Sequence, residues 1–159
     1  MIPIQPYRQR DFEHSFELVL SNDATYGGGD TKFALQRSRH PHENFETMKI
    51  DRAKFLHRSE YWDATWCDVL PKEIAFDVYD MAICTNATEA IRALQRAGDV
   101  YKVDGCVGSA TLHTVFGMDQ RRLLARFNGM RLLLATEDEQ WERDGRAWCR
   151  RIAANLTAV

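Results

Sequence analysis

The sequence is as informative for what it lacks as for what it holds. Its four cysteines, Cys67, Cys84, Cys106 and Cys149, include no Cys-x-x-Cys pair, which argues against a zinc ribbon or a thioredoxin-type centre. No basic excess is present: 21 Lys and Arg stand against 23 Asp and Glu, for a formal net charge of -2, so nucleic acid is not an expected partner. No apolar run approaches the length of a membrane span, so no membrane insertion is expected. The first residues, Met1-Ile-Pro-Ile-Gln-Pro-Tyr-Arg, lack the apolar core of a signal peptide. The expectation is therefore synthesis in the cytoplasm, with any action at the cell wall or periplasm requiring export or release in a phage-infected host. Repeats, low-complexity tracts and long linkers are missing as well.

What remains is an ordinary globular composition, 45% hydrophobic and 28% charged over 159 residues. That length fits one domain able to bury a core without metal or disulfide staples. The thiols are expected to be free and largely buried. His40-Pro41-His42-Glu43 offers too few ligands for a metal site, and no cofactor is expected.

Helical periodicity dominates. Asp11 caps a helix over residues 11–22, with Phe12, Phe16, Val19 and Leu20 on one face. Gly27-Gly28-Gly29 breaks the chain, and Thr31 to Leu35 reads as a short extended piece or turn. Residues 37–50 read as irregular. A second helix is expected from about Asp51 to Tyr61 with Phe55 and Leu56 inward. Leu70-Pro71 starts a third, whose apolar set is Ile74, Val78, Met81 and Ala82. Asn86-Ala-Thr-Glu89 is a capping box for a fourth, ended by Gly98. Asp104-Gly105 marks a turn, Ser109 opens a short helix, and Asp119 caps the last long stretch, which Gly145 is expected to interrupt. Trp62, Trp66, Trp141 and Trp148 read as core or rim packing rather than a carbohydrate platform. The fold class is mostly α, with a reduced or absent β-hairpin.

Several fragments lie in the order of one known family. Phe12 through Asp23-Ala-Thr-Tyr26, then Gly28-Gly29-Asp30-Thr31-Lys-Phe-Ala-Leu35, is similar to an apolar helix followed by Glu-Gly-Gly-Tyr, an acidic loop and Gly-Gly-x-Thr-x-x-Gly-Ile. Tyr61-Trp62 with Leu70-Pro71, Asp80-Met-Ala-Ile, Ala90 to Gln95, Asp104-Gly105 to Thr111, and Trp148-Cys-Arg-Arg151 follow in register. Together they resemble the lysozyme-like N-acetylmuramidases of glycoside hydrolase family 108, the secretion activator type. Six collinear fragments over residues 12–152 are far more specific than any one. The resemblance implies a lysozyme-like helical domain, with a muramidase-like half over 11–84 and a peptidoglycan-binding-like half over 85–159.

The resemblance also assigns residues. Asp23 stands where the family has its catalytic glutamate, Thr31 is placed to orient a water, and Asp30 is the only acidic residue left near the shortened loop. Tyr26, Asp80 and Cys84 fall on the substrate side, Cys84 where an asparagine is expected. Read without the resemblance, Asp23 is a polar residue at a helix end, Asp30 a turn residue and Tyr26 a packing ring. An Asp at the acid position sets its oxygens back by roughly 1.5 Å, one bond length, and displacements of about 1 Å can cost on the order of a hundredfold in rate. Two functions follow from the resemblance. One is an N-acetylmuramidase of the endolysin kind with reduced activity on peptidoglycan glycan strands. The other is an inactive module that binds peptidoglycan or a protein partner.

Overall fold

The computed structural model describes residues 11–26 and 30–157, the side chains of 24–26 excepted. The protein is mostly helical, and its hairpin is reduced but present. Helix α1 (Phe12–Tyr26) leads into strands β1 (Thr31–Lys32) and β2 (Leu35–Gln36), then a 3-10 turn at Arg37–Arg39. Next come α2 (Ile50–Leu56), α3 (Lys72–Cys84), α4 (Ala87–Ala97), α5 (Ser109–Gly117), α6 (Gln120–Thr136) and α7 (Trp141–Thr157). The strands pair antiparallel, Thr31 with Gln36 and Lys32 with Leu35.

Helix α3 is the centre of the molecule. Every residue from Ile74 to Ile83 is buried, because α4 and α6 pack on it while the stretch His57–Trp62 and Phe12 of α1 cover its other side. Around its aromatic end Phe12, Trp62 and Tyr79 meet edge to face, with Phe12 and Trp62 centroids 5.6 Å apart. That geometry suits the quadrupoles of aromatic rings.

The capping signals act as expected. Asn86 Oδ1 accepts the Glu89 N–H at 2.9 Å and Asp119 Oδ1 the Arg122 N–H at 2.9 Å, each satisfying a donor that the first helical turn leaves unpaired.

Other expectations need correction. Pro71 is the residue before the first turn of α3 rather than its first residue. Phe55 is not inward: it is 58% exposed and stacks under the Arg52 guanidinium, 5.2 Å from the ring centroid. The expected second helix also changes pitch, passing at His57–Trp62 into a π-helical stretch with bonds such as Asp63 N–H to Arg58 O. This wider winding turns His57, Tyr61 and Trp62 inward together. Gly145 does not break α7; the break falls at 137–140, and the Trp141 ring lies where a Cβ on Gly145 would sit. Of the thiols, all free, Cys67 is buried while Cys84 and Cys149 are half-buried and Cys106 is exposed. Burial pushes the Cys67 thiol up to about 12, so it is an inert packing group.

The turn after α4 is built on Gln95. Its side-chain amide donates to Asp104 Oδ1 at 3.0 Å and to the Cys106 carbonyl at 2.9 Å, while its oxygen accepts the Gly105 N–H. Gly105 takes φ +77°, and a Cβ there would lie 2.6 Å from Thr88 Cγ2. Gly105→Ala is expected to lose about 2 kcal/mol from left-handed strain and overpacking. Its thermal midpoint should fall by on the order of 4–8 °C. An unchanged midpoint by circular dichroism would show that the turn yields freely.

Candidate functional site

The hairpin is two residues per strand, so its position is set by side chains rather than by its ladder. Phe33 and Ala34 both adopt positive φ, 54° and 61°, the pairing that a tight type I′ turn requires. Neither is glycine, and left-handed backbone costs such residues roughly 1–2 kcal/mol each. Ala34 occupies the position where the resemblance has a glycine.

Two groups hold this strained turn. Asp23 Oδ2, at the end of α1, accepts the Ala34 N–H at 3.1 Å and, at a longer 3.3 Å, the Thr31 hydroxyl. From the opposite side His57 Nε2–H donates to the Phe33 carbonyl at 2.8 Å, while its Nδ1 accepts from the Tyr79 hydroxyl at 2.8 Å. Burial pulls the His57 pKa down to about 4, which keeps the ring neutral, and the Phe33 carbonyl, able only to accept, places the hydrogen on Nε2.

Behind this corner lies a buried charge cluster joining four helices. Asp80 on α3 is fully buried. Its Oδ1 receives Arg151 Nε at 2.8 Å and its Oδ2 receives Arg131 Nη2 at 2.7 Å and Asn155 Nδ2 at 2.8 Å. Desolvation alone would raise the Asp80 pKa, but Arg151 and Arg131 outweigh it and hold the carboxyl down to about 2. Arg131 also faces Asp77, 3.6 Å away. Asn155 in turn accepts from Asn22, the neighbour of Asp23 on α1, at 3.1 Å. Burial works against the charge of Arg151, yet Asp80, Cys84 and Asp23 all favour it, and its pKa stays raised.

The expected site residues therefore separate into groups. Asp23 and Thr31 are brought together. Asp30 is not with them: it is exposed and pairs with Arg37 Nε at 2.9 Å, because adjacent residues on an extended strand point to opposite faces. Asp80 is sealed from any substrate and is an anchor for α6 and α7, not a contact residue. Cys84 is half-buried at the end of α3, beside a cavity lined also by Trp148 and Arg151. The side chain of Tyr26 lies outside the described residues.

Sequence reasoning passed over Arg39, Arg131 and Asn155 as site residues. Arg39 clasps the open end of α3, donating to the carbonyls of Ile83 at 3.1 Å and Cys84 at 2.7 Å and also to that of Thr85. A guanidinium there meets unpaired carbonyls and the negative end of the helix dipole. His40, next in the chain, is buried between the Gln36 carbonyl, Glu60 and Tyr61. Among the described residues no group of three metal-binding side chains occurs, and no helix is long and apolar enough to cross a membrane.

The mostly helical domain with its short hairpin beside Asp23 has a lysozyme-like fold. The family described as glycosyl hydrolase 108 matches residues 15–85, the stretch containing Asp23, the hairpin, Asp80 and Cys84. This segment of the chain is similar to that family. The structure of SagA from Brucella abortus is similar over 92% of this chain and 92% of its own, with a TM-score of 0.82 at 20% identity, and it shares the fold. No curated protein matches the sequence.

Proposed function

We propose that this protein acts on peptidoglycan at the cell wall as an N-acetylmuramidase of low turnover, with Asp23 as its general acid. The observation that carries this reading is the pairing of Asp23 with Thr31 at the hairpin, within the field of Arg151. Glycoside cleavage needs a proton on the leaving oxygen and a nucleophile on the other face of the sugar. Asp23 would deliver the proton as the bond from the anomeric carbon to the bridging oxygen breaks. A water would then attack the anomeric carbon from the other face and lose its proton to solvent, while Asp23 takes a proton back from solvent.

Thr31 suits the orientation of that water. Its hydrogen is committed to Asp23, leaving its oxygen lone pairs to accept from a water. Neither Asp30, turned to Arg37, nor the sealed Asp80 is placed to support the water. This absence of a partner base, with the shorter acid, accounts for low turnover. We expect slow clearing of purified cell walls between about pH 4 and 8, and a fall of roughly a hundredfold or more for Asp23→Asn. Equal clearing by the variant and the native protein would remove Asp23 from the chemistry.

The same single-carboxylate corner favours a second reading, an inactive module that binds peptidoglycan or a protein partner. Retention on insoluble walls with no release of reducing sugar, unchanged in Asp23→Asn, is the result that reading expects.

A further inference from the structure

The peptide unit between Phe33 and Ala34 is gripped at both of its polar ends. Its carbonyl accepts His57 Nε2–H at 2.8 Å, and its N–H donates to Asp23 Oδ2 at 3.1 Å. Behind His57 the Tyr79 hydroxyl donates to Nδ1 at 2.8 Å. These groups form one hydrogen-bond chain, from the Tyr79 hydroxyl through the imidazole and the amide plane to the Asp23 carboxyl. Every donor along it points the same way, and Tyr79 and His57 are both fully buried. Bonds aligned in series polarise one another, and a low-dielectric surrounding strengthens each of them.

The chain ends on one oxygen of the acid. Asp23 Oδ2 accepts both the Ala34 N–H and the Thr31 hydroxyl. In the protonated acid, an oxygen that accepts two hydrogen bonds is the carbonyl oxygen, so Oδ1 carries the acidic hydrogen. As that hydrogen passes to the bridging oxygen of a glycan, negative charge grows on the carboxyl. Donors already aimed at it stabilise that charge without reorganising.

We infer that Tyr79 and His57 are positioning residues for Asp23, acting on it through the single peptide unit of Phe33 and Ala34. The inference rests on the reading of Asp23 as general acid, and it extends the working site to two side chains sealed in the core. No proton travels along the chain, which supplies orientation and field. The left-handed backbone of Phe33 and Ala34 gains a use as well: at φ 54° and 61° it presents the carbonyl to His57 and the N–H to Asp23.

A second tyrosine–histidine couple on the same hairpin offers a control. The Tyr61 hydroxyl lies 3.2 Å from His40 Nε2, and His40 Nδ1 lies 2.9 Å from the Gln36 carbonyl. The N–H of that peptide unit, on Arg37, donates to the Asp30 carbonyl at 3.1 Å and not to a carboxyl. This couple holds the hairpin without reaching the acid.

Tyr79→Phe deletes one hydroxyl and keeps the ring. Its turnover on purified cell walls should fall about tenfold, the rate equivalent of one hydrogen bond, with half-saturation unchanged. In isotope-labelled protein the Ala34 amide proton should move upfield, although it lies two hydrogen bonds from the deleted group. Tyr61→Phe should leave turnover and that resonance as in the native protein. An unmoved Ala34 resonance or native turnover in Tyr79→Phe, or an equal loss in Tyr61→Phe, would overturn the positioning role and leave Asp23 as the acid. Clearing that is absent in the native protein, or undiminished in Asp23→Asn, would instead overturn the acid reading and the positioning role with it.

Discussion

Asp80→Ala is expected to destabilise the protein by about 3–5 kcal/mol, the magnitude typical of removing one partner from a buried ion pair. The variant leaves two almost fully buried guanidiniums, Arg131 and Arg151, of which Arg131 keeps Asp77 at 3.6 Å. The loss is a large fraction of the 5–15 kcal/mol that stabilises a typical domain. Guanidinium unfolding reads it directly, as a lower midpoint at similar slope. A change below about 1 kcal/mol would mean that the cluster relaxes or hydrates freely. The pH dependence carries the same sign. The folded pKa is held below its usual 3.8, so this contribution is complete above that value and disappears as pH falls through about 2.

His57 gives the second large effect, in a milder range of pH. Its folded pKa, near 4 against an ordinary 6.5, means that the unfolded chain binds more protons between those values. Stability from this group is therefore complete above about pH 6.5 and is lost as pH falls toward 4, on the order of 3 kcal/mol in all. Urea midpoints at pH 7 and 4.5 measure the loss. His57→Gln should start less stable at pH 7, lacking the bond to Phe33 or Tyr79, and should fall much less on acidification. Parallel falls in both proteins would place the acid sensitivity elsewhere. Protonation turns Nδ1 from acceptor to donor and breaks the bond from the Tyr79 hydroxyl, while Nε2–H keeps the Phe33 carbonyl.

The helices were largely legible because their signals are local. Asn86 and Asp119 announce helix starts within four residues, and the buried set of α3 repeats with helical period. Phe55 misled because the chain leaves α-helical winding at His57, so a period of 3.6 does not continue through the segment. The hairpin, two residues per strand, is too short to show alternation and was visible only as a glycine-flanked break. Gly145 looked like a breaker because its helix-lowering tendency is local, whereas the ring of Trp141 that occupies its missing side chain is not read from composition.

The site divides in the same way. Asp23 and Thr31 could be named together only through the family resemblance, and Asp30 was drawn in by nearness in sequence although its side chain points away. The partners of Asp80 lie 51, 71 and 75 residues downstream, a separation over which no local pattern speaks. Arg151 stood inside a recognised fragment, but its role follows only from where α7 packs.

The family segment ends at residue 85, yet the cations that neutralise its central aspartate arrive on α6 and α7. The stretch bearing the lysozyme signature is consequently not portable. Expressed alone or grafted onto another scaffold, it would carry an orphan anion at its heart and lose the Asn155 contact that steadies Asn22 next to the acid. Evolution at this corner must therefore proceed as a joint negotiation between the two ends of the polypeptide.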